Sequence, residues 1–209
     1  MHSQARSRLF ALALAVAVGV AALLQSGVAL AKVSQPPFEV LFPQEPSVTT
    51  FRSTFGDRRS GGRRHHGNDL LAPRLTEVYA VADGTVAYVG RNRLSGRNVK
   101  IEHEDGWMSI YIHLNNDDPG TDDGNAPWTL TVAPGIEEGM HVKAGQLIGW
   151  VGDSGNAETT TPHTHFELRH DGQPIDPYDI LVTAQEKALE KEAWLEARLA
   201  GDGRVYLIE

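Results

Sequence analysis

The sequence predicts an all-β fold, an antiparallel sheet forming an open barrel or sandwich, with one C-terminal helix. Two observations carry that prediction. Short runs rich in β-branched and aromatic residues recur between residues 76 and 168, each closed by a glycine or an Asp-Gly turn. Helical periodicity, by contrast, is confined to the stretch after residue 183.

Taken in order, residues 76–82 and 85–89 flank Asp83-Gly84 and are expected to form a tight hairpin. Residues 98–103 and 107–114 flank Glu104-Asp105-Gly106, a second hairpin with a three-residue loop. Val142, residues 147–151 and residues 163–168 give three further strands. Residues 51–69, rich in arginine and glycine, are expected as loop, as are residues 115–138 with Asp117, Asp118, Asp122 and Asp123. Thr183 and Glu186 make a capping box, after which Ala184, Ala188, Leu195 and Leu199 share a helical face and Gly201 suits the stop.

The N-terminus reads as an export signal. Arg6 and Arg8 precede an apolar run over residues 9–24, and Ala29-Leu30-Ala31 supplies the small-x-small cleavage pattern. The expected organisation is therefore a signal peptide at 1–31 and an extended lead-in at 32–50. The body of the fold follows at 51–182, then a C-terminal helix and tail at 183–209. Export would place the mature chain in the periplasm or at the cell wall, with no membrane association after cleavage. The formal net charge of −8 argues against nucleic acid and anionic membrane surfaces as partners. With no cysteine in the chain, disulfides, thiolate zinc sites and a cysteine nucleophile are excluded. Any metal must be held by His, Asp or Glu.

The chemistry-bearing residues fall in three places. His65 and Asp69 lie four apart around Gly67, and in an extended segment even spacings share a face. His163 and His165, at spacing two on a strand, project to the same side, with Phe166 and Leu168 turned to the core. Two facing imidazoles conflict if protonated, and a metal binding neutral imidazole removes that conflict. His113 ends the second hairpin. Glu167 is assigned to the opposite strand face and so left out of the site. Together these give two histidines and one aspartate for zinc, plus two spare imidazoles.

The ordered motifs His65-x-Gly67-x-Asp69, Tyr111-x-His113-Leu114 and Pro162-His163-x-His165-Phe166-Glu167-Leu168 resemble the lysostaphin-type, or LytM-like, zinc metalloendopeptidases. The glycine-rich run over 139–157 that precedes the last motif fits the same pattern, and the resemblance spans roughly residues 51–181. It implies one zinc held by His65, Asp69 and His165, with His113 and His163 catalytic. It also implies peptides of bacterial cell-wall peptidoglycan as substrates. His163 would accept a proton from water and pass it to the departing amine, and His113 would stabilise the oxyanion; the two roles are open to exchange. Asn68 departs from the aliphatic residue usual in the family, the 115–138 loop is long, and no tyrosine precedes His65 closely.

The substrate groove is expected between the loops at 52–64, 91–97 and 115–138. Arginines 52, 58, 59, 63 and 64 are expected as a solvated loop rather than as contacts to wall-peptide carboxylates, and Trp128 as a cap on a local core rather than a groove wall. The Asp-rich loop lacks the alternating ligand pattern of a calcium site. The main alternative is a non-enzymatic envelope module of the same fold that activates cell-wall amidases, as relatives without zinc ligands do. A cupin-like metal protein fails on the placement of Glu167. A lipoyl-type carrier modified at Lys143 leaves the histidines unexplained.

Overall fold

The computed structural model describes residues 35–199. The expected signal peptide at 1–31 and the helix stop at Gly201 lie outside the described residues. Nine strands are seen among them: β1 (Asn68–Leu71), β2 (Glu77–Tyr79), β3 (Gly84–Asn92), β4 (Gly96–Glu102), β5 (Trp107–Leu114), β6 (His141–Val142), β7 (Leu147–Trp150), β8 (His163–His170) and β9 (Gln173–Ile175). One long helix, α1 (Tyr178–Leu199), follows. No helix of the described residues is long and apolar enough to cross a membrane.

The main sheet runs β1-β8-β5-β4-β3-β6, with β9 also paired to β8, and every pairing is antiparallel. Its two ends do not pair with each other, so the sheet is open rather than a closed barrel. Strands β2 and β7 form a separate two-stranded sheet.

That pairing corrects the first expected hairpin. Asp83-Gly84 does not join two partnered strands, because β2 pairs with β7 across 70 residues of sequence while β3 pairs with β4 and β6. Asp83 instead caps the turn before β7, accepting from the Ala144 amide at 2.8 Å and from Lys143 Nζ at 2.7 Å. The second hairpin is present as expected, with positive φ at Asp105 and Gly106 making its turn. Two strands differ from expectation: β1, which begins in the last two residues of the expected loop at 51–69, and β9.

The core lies on one face of the sheet and under β2 and β7. Leu70, Val78, Ile101, Ile148, Phe166, Leu168 and Leu181 are fully buried. Tyr111 and Phe166 meet edge to face at 5.5 Å, and the Tyr111 hydroxyl accepts from the Val81 amide at 2.9 Å. This joins the middle of the sheet to the segment leading out of β2.

Helix α1 begins five residues before the expected capping box. Thr183 is one turn inside it and bonds back to the Asp179 carbonyl at 3.0 Å. The free first-turn amide of Tyr178 is met by Asp176 Oδ1 at 3.0 Å. Leu181 and Ala184 are buried, but Leu195 and Leu199 are exposed, so only the first half of the expected apolar face is packed. Asp176→Ala is expected to lower global stability by about 1 kcal/mol, read as a shifted urea midpoint with unchanged slope. An unshifted midpoint would show that the cap contributes nothing.

Candidate metal centre and catalytic cleft

The site is built where β1, β8 and β5 lie side by side. In register, Asp69 sits opposite His165 and His165 opposite Ile112, next to His113. Alternation along β8 sends Thr164, Phe166 and Leu168 into the core and His163, His165 and Glu167 into a cleft of about 650 Å³. Close approach of the strands requires Gly67: a Cβ there would run into the backbone carbonyl of Phe166. This gives the glycine between His65 and Asp69 a packing reason.

Three donor atoms converge. His65 Nε2 lies 2.9 Å from Asp69 Oδ1 and 2.7 Å from His165 Nδ1, and His165 Nδ1 lies 2.9 Å from Asp69 Oδ1. The outer nitrogens fix the tautomers. His65 Nδ1 donates to the Thr54 carbonyl at 2.9 Å, and His165 Nε2 donates to Glu167 Oε1 at 3.0 Å. When both rings are neutral, two nitrogen lone pairs and a carboxylate oxygen point at one small space. Such a set repels itself unless a cation sits among its members. Burial opposes charge on His165, but its hydrogen bonds to Asp69 and Glu167 outweigh this and raise its pKa. Burial likewise opposes ionisation of Asp69, and hydrogen bonds from His165 and His65 reverse the balance and hold it far below the usual range. Two imidazoles and a carboxylate, each braced from behind, fit a zinc ion with one position left open.

Those braces extend outward. Asp69 Oδ2 accepts from Arg59 Nη2 at 2.7 Å, leaving Oδ1 for the centre. Glu167 is held by Arg169, whose Nε and Nη2 both reach Oε2, at 2.8 and 2.7 Å. Asn68, fully buried, accepts from the Thr54 amide at 3.2 Å and so supports the residue whose carbonyl orients His65.

Placement of Glu167 is a correction. It lies on the same face as His165 rather than the far one, because spacing two returns to the same face, and its carboxylate accepts from His165. The parity that grouped His163 with His165 was the signal that could have found it.

His113 and His163 flank the centre, their rings 5.1 Å apart. Each donates Nδ1–H to a backbone carbonyl: His113 to Ser154 at 2.7 Å, His163 to Thr161 at 2.8 Å. Each therefore keeps Nε2 as an acceptor in the neutral ring, and His163 Nε2 lies 3.9 Å from Asp69 Oδ1. Burial, helped by the neighbouring His163, lowers the His113 pKa to about 3, and burial also lowers that of His163. His113 sits at a register shift between β4 and β5 with φ of 65°, a left-handed conformation rare outside glycine. The bulge re-aims the side chain, and hydrogen bonds to Ser95 and Ser154 hold it there.

The cleft walls differ from expectation. The 115–138 loop does not line it; Asn156, Ala157, Thr160 and Thr161 do, with Leu94, Ser95 and the arginines at 59, 63 and 64. Trp128 lies under the Arg97 guanidinium at 5.1 Å, while Arg97 binds Thr131 and the Ala126 carbonyl. Asp117 and Asp122 gather near Glu158, and Arg74 pairs with Asp122 at 2.9 Å and with Asp153 at 2.5 Å, offsetting part of the loop's negative charge. A slightly larger cavity of about 720 Å³ contains His103, His141 and Lys143. Within it Lys143 pairs with Asp83 and His141 bonds Thr85, while His103 bonds Ser109.

The Peptidase family M23 model matches residues 63–123 and 129–177, which hold all five of these side chains. The chain belongs to peptidase family M23. This M23 chain is 34% identical over 150 residues to DD-carboxypeptidase/endopeptidase Mpg of Neisseria meningitidis serogroup B, matching 69% of itself and 30% of that protein. It is 33% identical over 125 residues to the murein hydrolase activator NlpD of Escherichia coli, matching 59% of itself and 27% of that protein. Among solved structures, a zinc-containing peptidase from Vibrio cholerae superposes with TM-score 0.53 and 26% identity, over 66% of this chain and 39% of that one. The chain thus spans about a third of the length of these curated relatives. The family includes both peptidoglycan endopeptidases and an activator.

Proposed function

We propose that the chain is an exported zinc metalloendopeptidase that hydrolyses peptide bonds of bacterial cell-wall peptidoglycan. The observation that carries this reading is the convergence of three lone-pair donors beside two further histidines whose Nε2 atoms are free. His65, Asp69 and His165 would hold zinc. When bound, zinc supplies Lewis acidity, polarising a peptide carbonyl and acidifying water. His163 Nε2 takes a proton from the water that attacks the carbonyl carbon. The oxygen–carbon bond forms, the carbon–nitrogen bond breaks, and His163 returns the proton to the departing amine. The expected oxyanion role of His113 needs a proton on Nε2, which the neutral ring does not carry. His113 becomes a donor only in the state in which it has taken one up.

The activator reading draws on the likeness to NlpD. Against it stands the complete set of five side chains, with Gly67, Glu167 and Arg59 bracing the ligands. A module needing only a docking surface has no use for these.

The protein purified without chelator is expected to carry about one zinc per chain by elemental analysis. Digestion of purified peptidoglycan, with products identified by mass, tests the activity and reveals the bond cut. Metal content of zero that stays zero on titration would overturn the assignment.

Hydrolysis is also expected to decline below roughly pH 6, where protons compete for the imidazole ligands. Burial lowers the His113 pKa to about 3 and lowers that of His163 as well, so protonation of the ligands is expected to lead and zinc content to fall together with the rate. A rate flat down to pH 4 in non-chelating buffer would contradict this.

A further inference from the structure

The cleft is electrostatically lopsided. Strand order lays out its floor as β1 with Asp69, β8 with His163 and His165, β5 with His113, and then the β3–β4 turn with Leu94. Arg63 and Arg64 precede β1 and line that end. Leu94 and Ala157 line the other, where the Asn156 amide bonds the Leu94 carbonyl at 3.1 Å. One end is cationic and the other uncharged.

Arg59 is committed to Asp69, but Arg63 and Arg64 are not matched by any acid. Arg63 donates to the carbonyl and hydroxyl of Ser60 at 3.1 and 3.2 Å, and Arg64 to the Gly56 carbonyl at 3.0 Å. Neither forms an ion pair among the described residues. These neutral contacts orient the guanidinium groups without balancing their charge. The acids of the cleft are already paired, Asp69 with Arg59 and Glu167 with Arg169. In a chain of net charge −8, two unbalanced cations at one end of a catalytic cleft are a local reversal of sign.

We propose that Arg63 and Arg64 select peptides that carry a free carboxylate on the Asp69 side of the scissile bond. This rests on the hydrolase reading and names its substrate class, an anionic peptide rather than a neutral one. Planar guanidinium donors match a carboxylate in pairs of hydrogen bonds. At an exposed cleft the attraction is screened, so the preference is modest and salt-dependent.

The test uses cross-linked wall peptides of one sequence, with carboxyl groups either free or converted to amides. The native protein is expected to show a kcat/KM about three- to tenfold higher on the free acid, carried by KM, with the ratio shrinking in 0.5 M salt. Arg63→Gln with Arg64→Gln should abolish the ratio, whereas the two lysine substitutions should keep part of it. Binding to His163→Ala, which retains the three ligand side chains, should show the same ratio in Kd, with cleavage slowed about 10²–10⁴-fold. Equal handling of acid and amide by the native protein, or a ratio that survives in the glutamine variant, would overturn the proposal. Preferential binding with no hydrolysis of either peptide would support it and sink the hydrolase reading instead.

Discussion

His165→Ala is expected to lose zinc, whereas His163→Ala keeps the metal and loses catalysis. The two side chains lie on one face of β8, two residues apart, and differ in what their nitrogens meet. His165 turns Nδ1 to the centre, 2.7 Å from His65 Nε2 and 2.9 Å from Asp69 Oδ1. Without it, two ligands remain and zinc should be held far more weakly. His163 spends Nδ1 on the Thr161 carbonyl and holds Nε2 toward the cleft, 3.9 Å from Asp69 Oδ1. Its loss leaves the ligand set whole and removes the proton acceptor, which typically contributes about 10²–10⁴-fold. Zinc content and cleavage of wall peptide are to be measured for both variants at one pH. If His163→Ala loses zinc and His165→Ala keeps it, ligand and base are reversed. If both keep zinc and activity, neither has its assigned role.

What was legible in the sequence was whatever short-range spacing encodes. His163 with His165 is set by the even period of β8, His65 meets Asp69 across the bend at Gly67, and the structure brings both pairs with His113 into one cleft. The turn at 104–106 was legible for the same reason, since its glycine lies within the hairpin it closes. Pairings across long sequence separations were not. β1 is four residues long and follows a stretch of arginines and glycines, and its partner β8 lies about 95 residues further along the chain. The Asp83-Gly84 dipeptide carries a hairpin signal, but the Asp83 carboxylate gains two hydrogen bonds near β7, and β2 finds its partner there. The bulge that aims His113 arises from the register between β4 and β5, which no local pattern announces.

Glu167→Gln is expected to weaken zinc binding about 10–100-fold, the range typical for an outer partner of a metal-bound imidazole. The carboxylate accepts from His165 Nε2 at 3.0 Å, and that hydrogen bond keeps the ring in the tautomer whose Nδ1 faces Asp69 and His65. A carboxylate in that place also makes the imidazole a stronger donor to a cation. The sign of its own titration agrees: burial opposes charge on Glu167, but bonds from His165 and Arg169 win and lower its pKa, so it stays ionised at neutral pH. Glutamine keeps the shape and an acceptor oxygen but removes the charge and unbalances Arg169. Glu167→Ala removes the acceptor as well, and should fall at the weak end of the same range. A merely structural role would lower stability without moving the zinc affinity of the folded protein. The decisive readout is therefore competition with a chelator, at a temperature where circular dichroism shows each variant folded. Zinc affinities equal to the parent in both variants would show that the carboxylate does not tune the centre, and that His165 is oriented by its packing alone.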